Sequence, residues 1–136
     1  MIKYWKKYRY ATKLSAIGNN YISNVNHLTK LRDLNISYNY KIYNKWISNL
    51  TNLEILDACC CPKNIKRKFY DKIKKKINAS GTCRIDDGGI LYLTDLEILI
   101  VQNNSRITDD EILYLTDLEI LNAGDNSKIT NINHMT

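Results

Sequence analysis

The ten residues Ile-Leu-Tyr-Leu-Thr-Asp-Leu-Glu-Ile-Leu occur twice in this chain, from Ile90 to Leu99 and again from Ile112 to Leu121. Self-similarity at a fixed offset of 22 residues marks a stacked repeat. A chain built this way presents an extended face rather than a closed pocket, which points toward binding and away from catalysis. Walking the period outward places Leu14, Leu34, Leu56, Ile77, Leu99 and Leu121 at equivalent positions, 20 to 22 residues apart. Six copies account for nearly the whole chain.

Each reference residue is followed by a variable one and then by Ala, Ile, Val or Cys-flanked Ala, as in Leu34-Asn-Ile36 and Leu121-Asn-Ala123. That period-2 alternation predicts a short strand with one buried face. On this reading Leu99 and Leu121 are both fully buried, while Asn122 beside Leu121 faces outward. Five residues past the reference stand Asn19, Asn39, Asn104 and Asn126, with Cys61 in the third copy and Thr82 in the fourth. An amide both donates and accepts, so stacked asparagines can satisfy the backbone groups that each turn leaves unpaired. Ile22, Ile42, Ile65, Ile85, Ile107 and Ile129 then return the chain to the core.

The consensus Leu-x-x-Leu-x-x-Leu-x-Ala-x-x-Asn-x-x-Ile resembles the leucine-rich repeat over residues 11–136, most specifically in the second, fifth and sixth copies. The run Ile22-Ser-Asn-Val-Asn-His-Leu28-Thr-Lys-Leu31 is similar to the 22-residue class with a 3₁₀ return. Ile107-Thr-Asp-Asp-Glu-Ile112 is closer to the class that returns through a short helix. The resemblance implies an α/β repeat solenoid: a leucine-rich-repeat arc with about six parallel concave strands and short helix or 3₁₀ returns. It also implies a partner bound on the concave side. Residues 1–10, with Tyr4, Trp5, Tyr8 and Tyr10, are expected to form a basic-aromatic N-terminal cap. The repeat domain is expected to be irregular over 59–76, where the third copy gains a residue near Pro62. The end at Thr130-Asn-Ile-Asn-His-Met-Thr136 repeats Ser23-Asn-Val-Asn-His-Leu-Thr29 and offers no cap. The expectation is an edge covered by a partner or a second copy, or a truncated relative of a longer repeat protein.

Composition narrows the compartment. An apolar share of 44% is ordinary for a folded domain, and no apolar run approaches the ~20 residues of a membrane helix. The start is charged but lacks the apolar middle of a signal peptide. A cytoplasmic protein is therefore expected, with bare sequons at Asn35, Asn49, Asn78 and Asn103 and reduced thiols.

Catalytic and metal readings find little support. Cys59, Cys60 and Cys61 are consecutive and Cys83 stands alone, unlike the separated pairs of a zinc site. Cys61 reads as a small, burial-tolerant replacement for the ladder asparagine, and a Cys83 disulfide to Cys60 or Cys61 is conceivable but not expected to persist. His27 and His134 fall at matching repeat positions. Asp86, Asp87, Asp109, Asp110 and Glu111 lack the ligand spacing of a calcium loop. Thr108, Asp109 and Asp86 read instead as helix caps. No enzyme, metal or cofactor is expected.

Charge offers the competing reading. The net +6 concentrates at Lys3, Lys6, Lys7, Arg9 and Lys13, then at Lys63, Lys66, Arg67, Lys68, Lys72, Lys74, Lys75 and Lys76. The second cluster interleaves with Ile65, Phe69, Ile73 and Ile77, the spacing of a basic amphipathic helix. The segment 63–76 is thus an alternative site for nucleic acid or an anionic surface. The leading expectation remains a non-catalytic scaffold for another protein. Strand alternation sends two columns outward: Lys13, Asp33, Ile55, Lys76, Ile98, Ile120, and Ser15, Asn35, Asp57, Asn78, Ile100, Asn122. The expected partner-binding residues are Ile55, Ile98, Ile100, Gln102, Ile120 and Asn122, since an exposed apolar patch marks a partner site.

Overall fold

The computed structural model describes residues 8–61, 67–83, 85, 87–104 and 106–131, with the backbone alone for Arg67, Lys68 and Asp87. Six three-residue strands form one parallel sheet in chain order: β1 Lys13–Ser15, β2 Asp33–Asn35, β3 Ile55–Asp57, β4 Lys76–Asn78, β5 Ile98–Ile100 and β6 Ile120–Asn122. Neighbouring strands in order, all parallel, require a same-handed return after each. Single helical turns supply four of the returns: α1 Asn44–Ile47, α2 Arg67–Tyr70, α3 Asp87–Ile90 and α4 Asp109–Ile112. The first return uses bonds from Leu28 N–H to Val25 C=O and from Leu31 N–H to Leu28 C=O instead. These i→i+3 closures make it a chain of 3₁₀-type turns, as the sequence implies. The fold is the leucine-rich-repeat arc.

The register reproduces the sequence alignment residue for residue. Leu14, Leu34, Leu56, Ile77, Leu99 and Leu121 pair across the sheet, as do the outward columns on either side. Hydrogen bonding continues past the strands: Ile36 N–H donates to Asp57 C=O and Tyr38 N–H to Cys59 C=O, and the same pair recurs in the following copies. The chain then turns through a left-handed residue four past each reference, at Gly18, Tyr38, Cys60, Gly81, Asn103 and Asp125. This conformation is uncommon for a tyrosine or a cysteine and is sustained by the surrounding stack.

The core is a set of columns running along the solenoid. Leu34, Leu56, Ile77 and Leu99 form one, and Ala16, Ile36, Ala58, Ala79 and Val101 another; all are fully buried. Ile47, Ile90 and Ile112 project from the helical returns into the same interior, and in the third copy Phe69 and Tyr70 take that place. The two rings meet edge to face with centroids 6.3 Å apart.

Burial departs from expectation at Leu121, which is only half-buried and packs on the cluster from its edge. The physical reason is that a solenoid side chain is covered by the repeats on both sides, and β6 has a strand neighbour only in β5. Leu14 in β1 is half-buried for the same reason. The expected cap over residues 1–10 lies mostly outside the described residues; Tyr8 and Tyr10 are exposed. The extra residue near Pro62 and Ile65 also lie outside them.

These differences set a stability gradient. Leu99→Ala should cost about 2–5 kcal/mol through lost burial and a cavity, and Leu121→Ala distinctly less because its site opens to solvent. Urea denaturation of the two variants checks this ordering; equal midpoints would contradict the edge assignment.

Candidate functional site

The inner seam between repeats is built from side chains that meet backbone. Asn39 Nδ2 donates to the carbonyls of Asn19 (2.8 Å), Ile22 (3.1 Å) and Ala16 (3.4 Å), while its Oδ1 accepts from Lys41 N–H and Ile42 N–H. Asn126 repeats the pattern against Val101, Asn104 and Ile107, and Asn104 reaches Ala79 and Ile85. One buried amide thus pairs carbonyls of the preceding copy and N–H groups of its own turn.

The third copy performs this task with a thiol. Cys61 Sγ donates to Ile36 C=O at 3.1 Å and Asn39 C=O at 3.2 Å, the groups equivalent to those met by Asn39. Burial, with the nearby Cys83 sulfur adding to it, pushes the Cys61 thiol up to about 12, so it stays a donor. In the fourth copy the expected ladder residue, Thr82, is exposed, and Cys83 is buried in the row instead. The turn there has one residue more before the row and one fewer after it, a slip that strict counting from Ile77 misses. None of the four cysteines is in a disulfide.

The outward columns form the concave face. Ile98 faces Ile120 across β5 and β6, and Ile100 follows Ile98 on the same side of β5. Ile98 and Ile100 are half-buried, while Ile120 is 52% exposed. Ile55 is half-buried too, but Lys76 on β4 stands between it and Ile98. The structure therefore brings together three of the expected isoleucines and leaves the fourth apart. Gln102 is exposed at the turn beyond β5, against Gly124 of the next copy.

Asn122 has a structural task as well. Its Oδ1 accepts from Gly124 N–H at 3.3 Å, and Asn35, Asp57 and Asn78 accept in the same way from Ser37, Cys59 and Ser80. These side chains hold the turn after each strand by bridging two residues forward. Asp57 further accepts from Ser37 Oγ at 2.7 Å and Asn78 Nδ2 at 3.2 Å, which joins three strands by a polar row. The column that reads as an adaptable binding surface is largely occupied with its own backbone.

The basic segment is not a single helix. α2 ends at Tyr70, Ile73 is buried in the return, and Lys76 lies in β4 on the concave side. Lys72 is exposed; Lys74 pairs with Asp95 at 3.0 Å and Lys75 with Glu54 at 2.7 Å. The expected continuous basic stripe is corrected because the chain must re-enter the sheet at Lys76 for the register to hold. Lys66 and the side chains of Arg67 and Lys68 lie outside the described residues.

Acidic groups act as staples. Thr108 Oγ1 caps α4 by accepting from Asp110 N–H, as expected. Asp109 reaches the next copy, accepting from Thr130 N–H at 2.8 Å, Asn131 N–H at 3.0 Å and Thr130 Oγ1 at 2.7 Å. Asp86, the other expected cap, and His134 lie outside the described residues. Among the described residues no three His, Cys, Asp or Glu side chains come together to hold a metal ion, and no helix is long and apolar enough to cross a membrane.

No family model matches the sequence, and no curated protein matches it. Solved structures do match its shape. An internalin (inlF) from Listeria monocytogenes superposes with a TM-score of 0.55 at 22% identity, over 91% of this chain and 44% of that one. An internalin C2 (inlC2) from the same organism gives 0.50 at 14% identity, over 92% of this chain and 76% of that one. The chain thus spans less than half the length of the first internalin, and the likeness is one of fold.

Two outcomes follow from the seam and its rim. Asn39→Leu keeps the heavy-atom count and branching but orphans several buried backbone groups, each worth about 1–3 kcal/mol, so calorimetry should show a loss of at least about 3 kcal/mol. At the strand entrances the Lys75 ammonium, with Arg32 adding to it, holds the Glu54 carboxyl below its ordinary value. Stability from this pair is present above the ordinary carboxylate range and is lost as pH falls through the lowered value. Acid titration of melting at low salt should show that loss shrink in Lys75→Ala; an unchanged profile would dismiss the pair.

Proposed function

We propose that the chain is a non-catalytic scaffold that binds another protein on its concave face. The observation that carries this reading is the isoleucine triplet, Ile98, Ile100 and Ile120, in register on adjacent strands and turned toward solvent. β-branched side chains suit strands, but three outward ones side by side make a contiguous apolar surface, which soluble proteins keep for partners. The flanking polar row at Asn35, Asp57 and Asn78 is fixed by the turns, so it presents a rigid rim around that surface. A rigid apolar centre with a polar margin is the usual anatomy of a protein interface. Four cysteines outside any disulfide fit a reducing, cytoplasmic location.

The basic alternative draws no comparable support, since two of its lysines are engaged in ion pairs and Lys76 projects from a different surface than Lys72. The test separates the two. Ile98→Lys with Ile120→Lys should abolish capture of a protein partner at both low and high salt while leaving the melting curve unchanged. Lys74→Ala, Lys75→Ala and Lys76→Ala together should leave capture intact. The reading fails if the lysine variant loses binding together with heparin retention, because phosphate-driven contacts collapse with salt.

A further inference from the structure

We propose that Cys59 and Cys60 form a two-thiol chelating site for a soft, trivalent, thiophilic centre of the organoarsenical type. Their Sγ atoms lie 3.4 Å apart in a hydrogen-bonded pair, far beyond the ~2.0 Å of a bonded disulfide. Both residues are half-buried at the turn after β3. With metal–sulfur bonds of about 2.3 Å, sulfurs 3.4 Å apart subtend an angle of about 95° at a shared atom. That angle suits a pyramidal trivalent centre. It is too narrow for a linear two-coordinate ion and narrower than a tetrahedral one. The ligand count agrees, because no third His, Cys, Asp or Glu among the described residues completes a metal set, and an arsenical with one organic group needs only two. Thiolates select soft acceptors over hard ones.

The turn holds the pair in place. Cys60 adopts a left-handed backbone, and its Sγ stands where a Cβ on Gly81 would lie only 2.6 Å away, so residue 81 must be glycine for the thiol to sit there. Burial raises the Cys60 thiol, but the Tyr38 hydroxyl, the Cys59 thiol and the N–H and hydroxyl of Thr82 all hydrogen-bond to its sulfur and together bring it below its ordinary value. Cys59 is pushed up to about 11 by burial first and by its bond to Cys60. Cys60 is thus the easier of the two to ionise, and Cys59 keeps its proton more firmly. Cys61 differs, being fully buried with its S–H committed to two carbonyls.

The reaction is a condensation without electron transfer. With phenylarsine oxide, two arsenic–sulfur bonds form, the arsenic–oxygen bond breaks, and the two thiol protons leave with the oxygen as water; arsenic stays trivalent.

The test adds phenylarsine oxide to the reduced full chain and reads the intact mass and the labelled peptide. One adduct per chain, lighter by one water than the sum and mapping to Cys59 and Cys60, is expected. Two-point attachment should make it resist glutathione about 10²-fold longer than a one-point bond, yet yield to a 1,2-dithiol. Cys59→Ser and Cys60→Ser should each remove that resistance with circular dichroism unchanged. An adduct mapping to Cys61 or Cys83, or one on the wild-type chain as labile to glutathione as in either serine variant, overturns the proposal. Peptide mapping on the unsubstituted chain decides the matter even if a variant folds poorly.

Discussion

The seam of buried donors between repeats is the interaction on which this structure depends. Each three-residue strand is too short to be stable alone, and each turn leaves carbonyls facing an interior that water does not reach. Asn39, Asn104 and Asn126 meet those carbonyls and simultaneously tie down the N–H groups of the following loop. Without them, packing two repeats together would bury unpaired polar groups at a cost of the same order as the apolar gain. With them, the core columns of Leu, Ile and Ala can close over a satisfied backbone, and the register of the sheet follows.

A thiol at the middle of this seam changes its character without breaking it. A Cys61 S–H can share one proton between two carbonyls, whereas an amide brings two protons and an acceptor. The third copy is therefore held to the second by a weaker donor, and its return differs too: Phe69 and Tyr70 are buried where the other helical returns place an isoleucine.

The sheet was legible in the sequence because two periods coincide. Alternation at 2 chose the buried side of each strand, and recurrence at about 22 fixed which residues pair; both outward columns follow from those rules alone. Residues whose role depends on something other than period were harder to read. Leu121 has the same local pattern as Leu99, yet its burial depends on a neighbouring repeat, which no local pattern encodes. Cys83 was hidden by a one-residue slip in the turn that strict counting from Ile77 cannot register. The lysines from 72 to 76 look helical by spacing because Phe69, Ile73 and Ile77 are four apart, but Ile77 is a strand residue whose pairing with Leu56 and Leu99 overrides that periodicity.

The concave face shows how a repeat divides its polar residues between structure and surface. A position one past the reference carries Asn or Asp in β2, β3, β4 and β6, and in each the side chain accepts from the N–H two residues on. β5 instead has an isoleucine there, Ile100, which can accept nothing. The fifth turn does without its side-chain brace, and its backbone bond from Asn103 N–H to Gly124 C=O is retained. Giving up a brace in favour of an outward apolar group makes little sense for stability. On the proposed reading, Ile100 extends the surface begun by Ile98 and Ile120.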